Sequence, residues 1–207
     1  LIFQSILGHT GHTYKAGLSY NYDNYSEALS DSSFNRTERV PGAFVEYIYN
    51  NTKNLTVVAG SRVDFHNLFG TVFTPRLNVK FDATPNTIFR VAAGRGFRVA
   101  NPIAENSAIL VSSRSIKPTE DLKPEQAWNL GGSFTHFFEL GGRPGTFVTD
   151  YYYTTFTDQV VLDMYSNHAQ AQFYNLDGRS FSKSFQTEVQ YEVVKGLDVK
   201  AAYKFFN

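Results

Sequence analysis

A chain of 207 residues with 19 basic and 19 acidic side chains carries no net charge at pH 7, so it has no basic field with which to hold nucleic acid. The absence of Cys removes disulfides and thiolate metal sites, and no apolar run reaches the length of a membrane-spanning helix. The 19 Phe and 13 Tyr, against one Trp and one Met, favour strands.

Residues 1–7 read as the end of a strand. Residues 14–22 alternate, with Tyr14, Ala16, Leu18, Tyr20 and Tyr22 on one flank and Lys15, Gly17, Ser19 and Asn21 on the other. Strands follow near 38–50 and 55–65. The clearest is 75–82, where Pro75, Leu77, Val79 and Phe81 oppose Arg76, Asn78, Lys80 and Asp82. Further segments lie near 87–97, 125–138 and 146–161. In 185–193, Phe185, Thr187, Val189, Tyr191 and Val193 face away from Gln186, Glu188, Gln190 and Glu192. In 197–205, Leu197, Val199, Ala201, Tyr203 and Phe205 face away from Asp198, Lys200, Ala202 and Lys204.

The connections fall into two classes. Those at 8–11, 51–54, 84–86, 139–145 and 195–196 are tight and rich in Gly, Pro and Asn. Those near 23–37, 66–73, 98–124 and 162–172 are expected to be long. Alternation of the two puts every tight turn on one rim and every long loop on the other, the grammar of a transmembrane β-barrel with its long loops outside the cell. A soluble sandwich also alternates in period two, but its strands average about five or six residues and its inward face is apolar. Here the strands run to about ten, the length of a tilted membrane span, and one flank is charged. The chain lacks the features of a signal peptide at its start and stops within a strand pattern, which predicts an internal part of a longer polypeptide.

Several strings go beyond pattern. FGTVFTPRLNVKFDATPNTIFRVAAGRGFRVANPIAEN, over 69–106, resembles the barrel of TonB-dependent outer-membrane receptors, in which a TPRL-like strand, a short turn and an R-x-A-x-G-x-G-F-R strand lead into a large loop. LKPEQAWNLGGSF, over 122–134, resembles the strand returning from that loop. YYYTTFTDQVVLD, over 151–163, is similar to the family's aromatic strand. FYNLDGRSFSKSFQTEVQYEVVKGLDVKAAYKF, over 173–205, resembles an Asn-Leu turn introducing a Glu-bearing strand and a hairpin.

The resemblance implies an all-β, antiparallel transmembrane barrel fragment, about ten strands of a plugged barrel of the 22-strand type. Residues 1–207 are then a partial barrel domain, without the plug domain and the closing C-terminal strand. It implies a receptor in the outer membrane of a Gram-negative bacterium, in contact with outer-membrane lipid. Such a receptor binds a scarce solute, a ferric siderophore or haem, and imports it to the periplasm with energy from the TonB complex acting through the plug. No bond chemistry and no resident cofactor are expected. The alternative is a passive porin or a structural or adhesive barrel.

Within 88–98, Arg90, Ala92, Gly94, Gly96 and Arg98 share a flank, and Arg76, Lys80, Arg90, Gly94 and Gly96 are expected to face the lumen. Arg62, Asp64, Asp82 and Glu46 are expected there too, as ion pairs in a self-neutralising wall. Gly94 and Gly96 either relieve curvature or let a ligand approach the backbone. The candidate ligand-binding residues are Arg98, Asn101, Glu105, Asn106 and Arg114 in the longest loop, which also carries Lys117 and Glu120, and Tyr165 with His168 in the loop that follows. His9, His12, His66 and His136 lack metal-ligand spacing, and no hydrolase motif is present.

Overall fold

The structure, a computed structural model, describes residues 1–29, 32–112, 114–118 and 121–207. In chain order the strands are β1 (Ile2–Ile6), β2 (His12–Leu29), β3 (Ser32–Asn50), β4 (Leu55–His66), β5 (Gly70–Thr84) and β6 (Thr87–Arg98). A helical turn α1 (Pro102–Glu105) and a 3-10 turn (Ser107–Val111) precede β7 (Ser115–Pro118). Then come β8 (Glu125–Leu140), β9 (Arg143–Thr157), β10 (Val160–Asp163), β11 (Gln170–Asn175), β12 (Arg179–Val194) and β13 (Leu197–Phe206).

Ten of these strands form one antiparallel sheet in the order β1-β2-β3-β4-β5-β6-β8-β9-β12-β13. Apart from β7, β10 and β11, every strand lies beside its predecessor in sequence, as short hairpins require. Among the described residues β1 pairs only with β2 and β13 only with β12, so the sheet is open at both edges. The register confirms the alternation. Leu77 opposes Ala59 and Ala93, Val79 opposes Val57 and Val91, and Phe81 opposes Leu55 and Phe89, all on one face. That apolar face is not covered by a second layer: Leu18, Leu77, Val91, Trp128 and Leu130 stand 42–61% exposed. No soluble sandwich leaves its apolar flank so bare.

Two expected long loops are corrected. The stretch 23–37 is not a loop. Pairing of β2 with β3 continues through Asp23↔Glu38 and Tyr25↔Arg36 to Leu29↔Ser32. These strands are 18 and 19 residues long, well past the roughly 9–11 that cross a bilayer. Beyond Tyr22 both flanks of β2 are largely polar, so the apolar period fades while the backbone ladder persists. The stretch 66–73 is a tight turn, since only residues 67–69 separate β4 from β5. There the Asn67 side chain accepts the Arg39 amide at 2.8 Å and donates to the Thr37 carbonyl at 3.0 Å, fixing the turn against β3.

The remaining two long connections fold together. β10 pairs antiparallel with β11, and β11 pairs in parallel with β7, giving a three-stranded sheet built from both loops. Its inner side holds the only buried hydrophobic cluster among the described residues: Ile109, Ile116, Ala171 and Phe173, flanked by Ile103, Leu122, Val160, Leu162 and Met164. Core packing in this chain is therefore concentrated in a cap above one rim of the sheet.

Candidate functional site

The polar face is organised by register. Lys15, Glu46, Gly60, Arg76, Gly94, Asn129, Thr154 and Ser182 follow one another across eight strands. Lys15 lies 3.6 Å from Glu46, and Arg76 reaches the same carboxylate by crossing Gly60. Lys80 pairs with Asp82 at 2.8 Å and Lys200 with Glu188 at 2.7 Å. Arg90 opposes Lys80 and has no carboxylate partner among the described residues. It lines a cleft of about 280 Å³ with Lys80, Asp150 and Tyr152. A Cβ at Gly96 would meet nothing within 4 Å, and one at Gly94 would touch only Pro75 and Arg76. No side chain of this chain requires Gly96 by close approach.

A second cleft, of about 370 Å³, opens where β2, β3 and β4 approach the cap. Its polar lining includes Asp23, Arg36, Glu38, Arg62, Asp64 and His66. Arg62 forms a fork on the Asp64 carboxylate at 2.6–2.9 Å and donates to the Ser19 hydroxyl at 2.7 Å. The tight spot is Gly42, between Ser19 and Asp64 in register, where a Cβ would fall on the Asp64 carboxylate. Glu38 and His66 are buried at 8% and 4% exposure. The Leu68 amide donates to His66 Nδ1 at 3.2 Å, which puts the neutral imidazole's proton on Nε2. That Nε2 lies 3.5 Å from Glu38 Oε2 and makes no hydrogen bond among the described residues.

Arg36 joins this cleft to the cap. Its Nε donates to Glu38 at 2.6 Å, one terminal nitrogen donates to the Ala100 carbonyl at 3.1 Å, and the other donates to the Asn101 side chain. The Tyr25 ring lies 4.3 Å beneath the guanidinium. The cap has two further ties. Glu125, at the start of β8, accepts from Arg98 Nε and from the Val160 amide at 2.8 Å. Asn175 donates to the Asp158 carbonyl at 2.6 Å and the Lys123 carbonyl at 3.1 Å, and accepts the Lys123 amide at 2.8 Å. Asp158 itself has φ +54°, the left-handed bend that turns the chain out of β9 into β10.

The loop residues singled out from the sequence divide into two groups. Arg98 pairs with Glu125 and, at 3.1 Å, with Glu105. Glu105 also accepts the Asn101 amide at 3.0 Å, and Asn101 receives Arg36, so these three belong to the cap's foot. Asn106 donates to the Pro102 carbonyl at 3.0 Å and closes α1. Arg114 donates to the His168 carbonyl at 3.0 Å, stitching one loop to the other. Lys117 sits opposite Gln172 in the β7–β11 ladder, and Glu120 lies outside the described residues. Tyr165, 84% exposed, and His168 project from the turn between β10 and β11. In that turn the Ser166 hydroxyl and the amides of Tyr165 and Ser166 hold the Asp163 carboxyl below the ordinary carboxylate range. Among the described residues no group of three metal-ligating side chains forms.

Sequence reasoning missed the juncture of Arg36 and Glu38, because 23–37 read as loop and left Glu38 as the bare start of a strand. The signal was present: Arg36, Glu38 and Val40 continue the period of two, opposite Tyr25, Asp23 and Asn21.

The family model described as TonB dependent receptor-like, beta-barrel, matches residues 2–207. No curated protein sequence matches the chain. Among solved structures, the siderophore receptor PirA from Pseudomonas aeruginosa is similar over 100% of this chain and 39% of its own, with TM-score 0.74 and 14% identity. The ferric enterobactin receptor PfeA of the same organism, solved with enterobactin, gives TM-score 0.74 at 13% identity over 100% of this chain and 35% of its own. The hemophore receptor HasR from Serratia marcescens, in complex with its hemophore and heme, gives 0.69 at 13% identity, covering 100% and 40%. The chain thus spans well under half the length of these neighbours, and the likeness at such identity is one of fold.

Proposed function

The chain belongs to the TonB-dependent receptor β-barrel family, and on that premise we propose that it forms part of the wall of an outer-membrane importer of a scarce iron complex, a ferric siderophore or haem. Barrels of this family are outer-membrane proteins of Gram-negative bacteria, and they are transporters rather than enzymes. The observation that carries the reading is the ten-stranded sheet with an uncovered apolar face and a self-paired polar face, matched end to end by the family model. The apolar face meets lipid. The polar face, with Arg76, Lys80, Arg90, Gly94 and Gly96, lines a lumen filled by a plug domain through which TonB delivers energy. The open space over Gly96 supports close approach by the plug.

Recognition of the solute belongs to the cap and the cleft beneath it. Tyr165 and His168 meet the solute first, and Arg36 with Asn101 stands at the entrance below. Arg98, Glu105, Asn106 and Arg114 hold that surface in shape. The test is uptake of radiolabelled ferric siderophores and haem by cells carrying or lacking the full-length protein, with and without a functional TonB. The expected result is loss of uptake of one iron complex in both deletions. Uptake that survives loss of TonB would replace this reading with a passive porin, and no change with any solute would favour a structural or adhesive barrel.

A further inference from the structure

Along β5 the ladder to β4 runs unbroken from Leu55↔Phe81 to His66↔Gly70, and along β6 the ladder to β8 runs from Thr87↔His136 to Arg98↔Glu125. The ladder between β5 and β6 themselves is shorter. It starts at the tight turn and stops at Arg76↔Gly94, so residues 70–75 of β5 and 95–98 of β6 border an unpaired seam. Pro75 supplies the cause. The Asp82 amide donates to the Asn54 carbonyl and the Phe137 amide to the Asn86 carbonyl, which turns the even-numbered backbone groups of β5 toward β4 and those of β6 toward β8. Odd-numbered groups of both strands therefore face each other, and at residue 75 proline has no N–H to give. A proline flanked by two strands is tolerated where one of them lets go.

Side chains bridge what the ladder leaves open. Among the described residues the hydrogen bonds that cross the seam run from Arg95 to the Phe73 carbonyl, at 3.4 Å, and from Arg36 to the Ala100 carbonyl and the Asn101 side chain. Arg95 is braced on its own side by Gln126 of β8. Two cavities open onto the same line. The cleft of about 370 Å³ takes Phe97 and Val99 from one side of the seam and Glu38, Asp64 and His66 from the other. A neighbouring cavity of about 400 Å³ takes Arg95 from one side and Arg62, Thr74 and Arg76 from the other.

We infer that this seam is a hinge in the wall, latched by Arg95, across which the half that carries the cap, from β6 onward, flexes against β2–β5 and so sets the width of both cavities. One guanidinium stands in for the missing ladder bonds, so the seam opens at lower cost than the laddered junctions on either side. Gly96 adds slack, since a Cβ there would meet nothing within 4 Å. The hinge needs only the sheet; its bearing on solute recognition rests on the importer reading above.

The experiment uses the full-length protein in detergent, with amide exchange read at single-residue resolution. The Phe73 and Phe97 amides, which point into the seam, should exchange on the order of tenfold or more faster than those of Val72, Thr74, Gly96 and Arg98, which point into intact ladders. P75V restores the missing donor and should slow Phe73 and Phe97 by about tenfold. Spin labels on a T71C/T157C pair, exposed positions on either side of the seam, report its width. R95Q should broaden their distance distribution and P75V should narrow it. Phe73 and Phe97 amides as slow as their neighbours would overturn the seam, and a distribution that R95Q leaves unchanged would overturn the latch. Should P75V lose heat-modifiable mobility, a sign that its barrel has not formed, the wild-type exchange pattern and R95Q decide. Neither readout uses a solute, so failure of the importer reading, seen in the uptake assay, is separate from failure of the hinge.

Discussion

Replacing Glu125 with Ala tests whether the cap is a separately tethered unit. The Glu125 carboxylate is 7% exposed and accepts from Arg98 Nε, at the end of β6, and from the Val160 amide, at the start of β10. The amide bond to a buried carboxylate is charge-assisted and contributes about 1.5–3 kcal/mol. Arg98 is more than half exposed and keeps Glu105, so its share is screened to about 0.5 kcal/mol. The loss is then about 2.5 kcal/mol, or roughly a 70-fold rise in the open population of β10. Hydrogen exchange on the detergent-solubilised protein reads this directly: amides of residues 160–163 and 170–175 should lose about that much protection, while β4, β5 and β12 keep theirs. Unchanged exchange in β10 and β11 would refute the tether. Loss of protection throughout the large sheet would refute the independence of the cap.

Phe173→Ala removes the largest side chain of the cap's buried cluster, at 1% exposure, and should cost about 3–5 kcal/mol. Protease cleavage within 99–124 or 158–178, with the large sheet still resistant, is the expected pattern, and a uniformly digested chain would contradict it. Gly42→Val would place a Cβ on the Asp64 carboxylate and break the Arg62 fork, so barrel assembly measured by heat-modifiable mobility should fall sharply. The same change at Gly96, where the space is open, should leave assembly intact and affect only uptake. For Asp163 the folded carboxyl titrates below its unfolded value of about 3.9, so its hold on the Tyr165 and Ser166 amides is fully present above about pH 4 and is lost as pH falls through the folded value. The two amide resonances should follow the Asp163 carboxyl in an acid titration. A midpoint at or above 3.9 would contradict the turn geometry.

The wall was legible in the sequence and the cap was not, for reasons that lie in the solvent each meets. Along β5 one flank is apolar and the other charged, as the proposed lipid and lumen sides require, so Leu77, Val79 and Phe81 alternate with Arg76, Lys80 and Asp82, and a period of two survives in one strand alone. Beyond Tyr22, Asp23, Asn24 and Ser26 are all exposed, the apolar half of the period fades, and the backbone ladder carries the hairpin onward. The cap fails for a different reason. Its strands are four to six residues long, and its core joins Ile116 to Phe173 across more than fifty positions, a pairing no local pattern encodes. One trace was visible. The Asn-Leu pair at 175–176 stands out in the sequence, and Asn175 proves to fasten both ends of the cap's return, through Lys123 and Asp158.

On the importer reading proposed above, the division of charge between the two faces also decides where selectivity can reside. On the polar face Lys15, Arg76, Lys80 and Lys200 are each held by a carboxylate of the wall, so that surface presents little net field to a passing solute. Among the described residues Arg90 and Lys204 are the exceptions: Arg90 is exposed and lines the smaller cleft together with Asp150, and Lys204 stands over the Phe206 ring. At the rim the balance is different. Arg36 spends its donors on Glu38, Ala100 and Asn101, which makes the shape of the entrance depend on the position of the loop. A solute that displaced Asn101 from Arg36 would gain one terminal nitrogen of a cation already positioned over Tyr25 and would loosen one of the cap's three ties. On the importer reading proposed above, binding at this juncture and movement of the cap are one equilibrium, and a variant such as Asn101→Ala, which frees one terminal nitrogen of Arg36 without touching the wall, should shift both together.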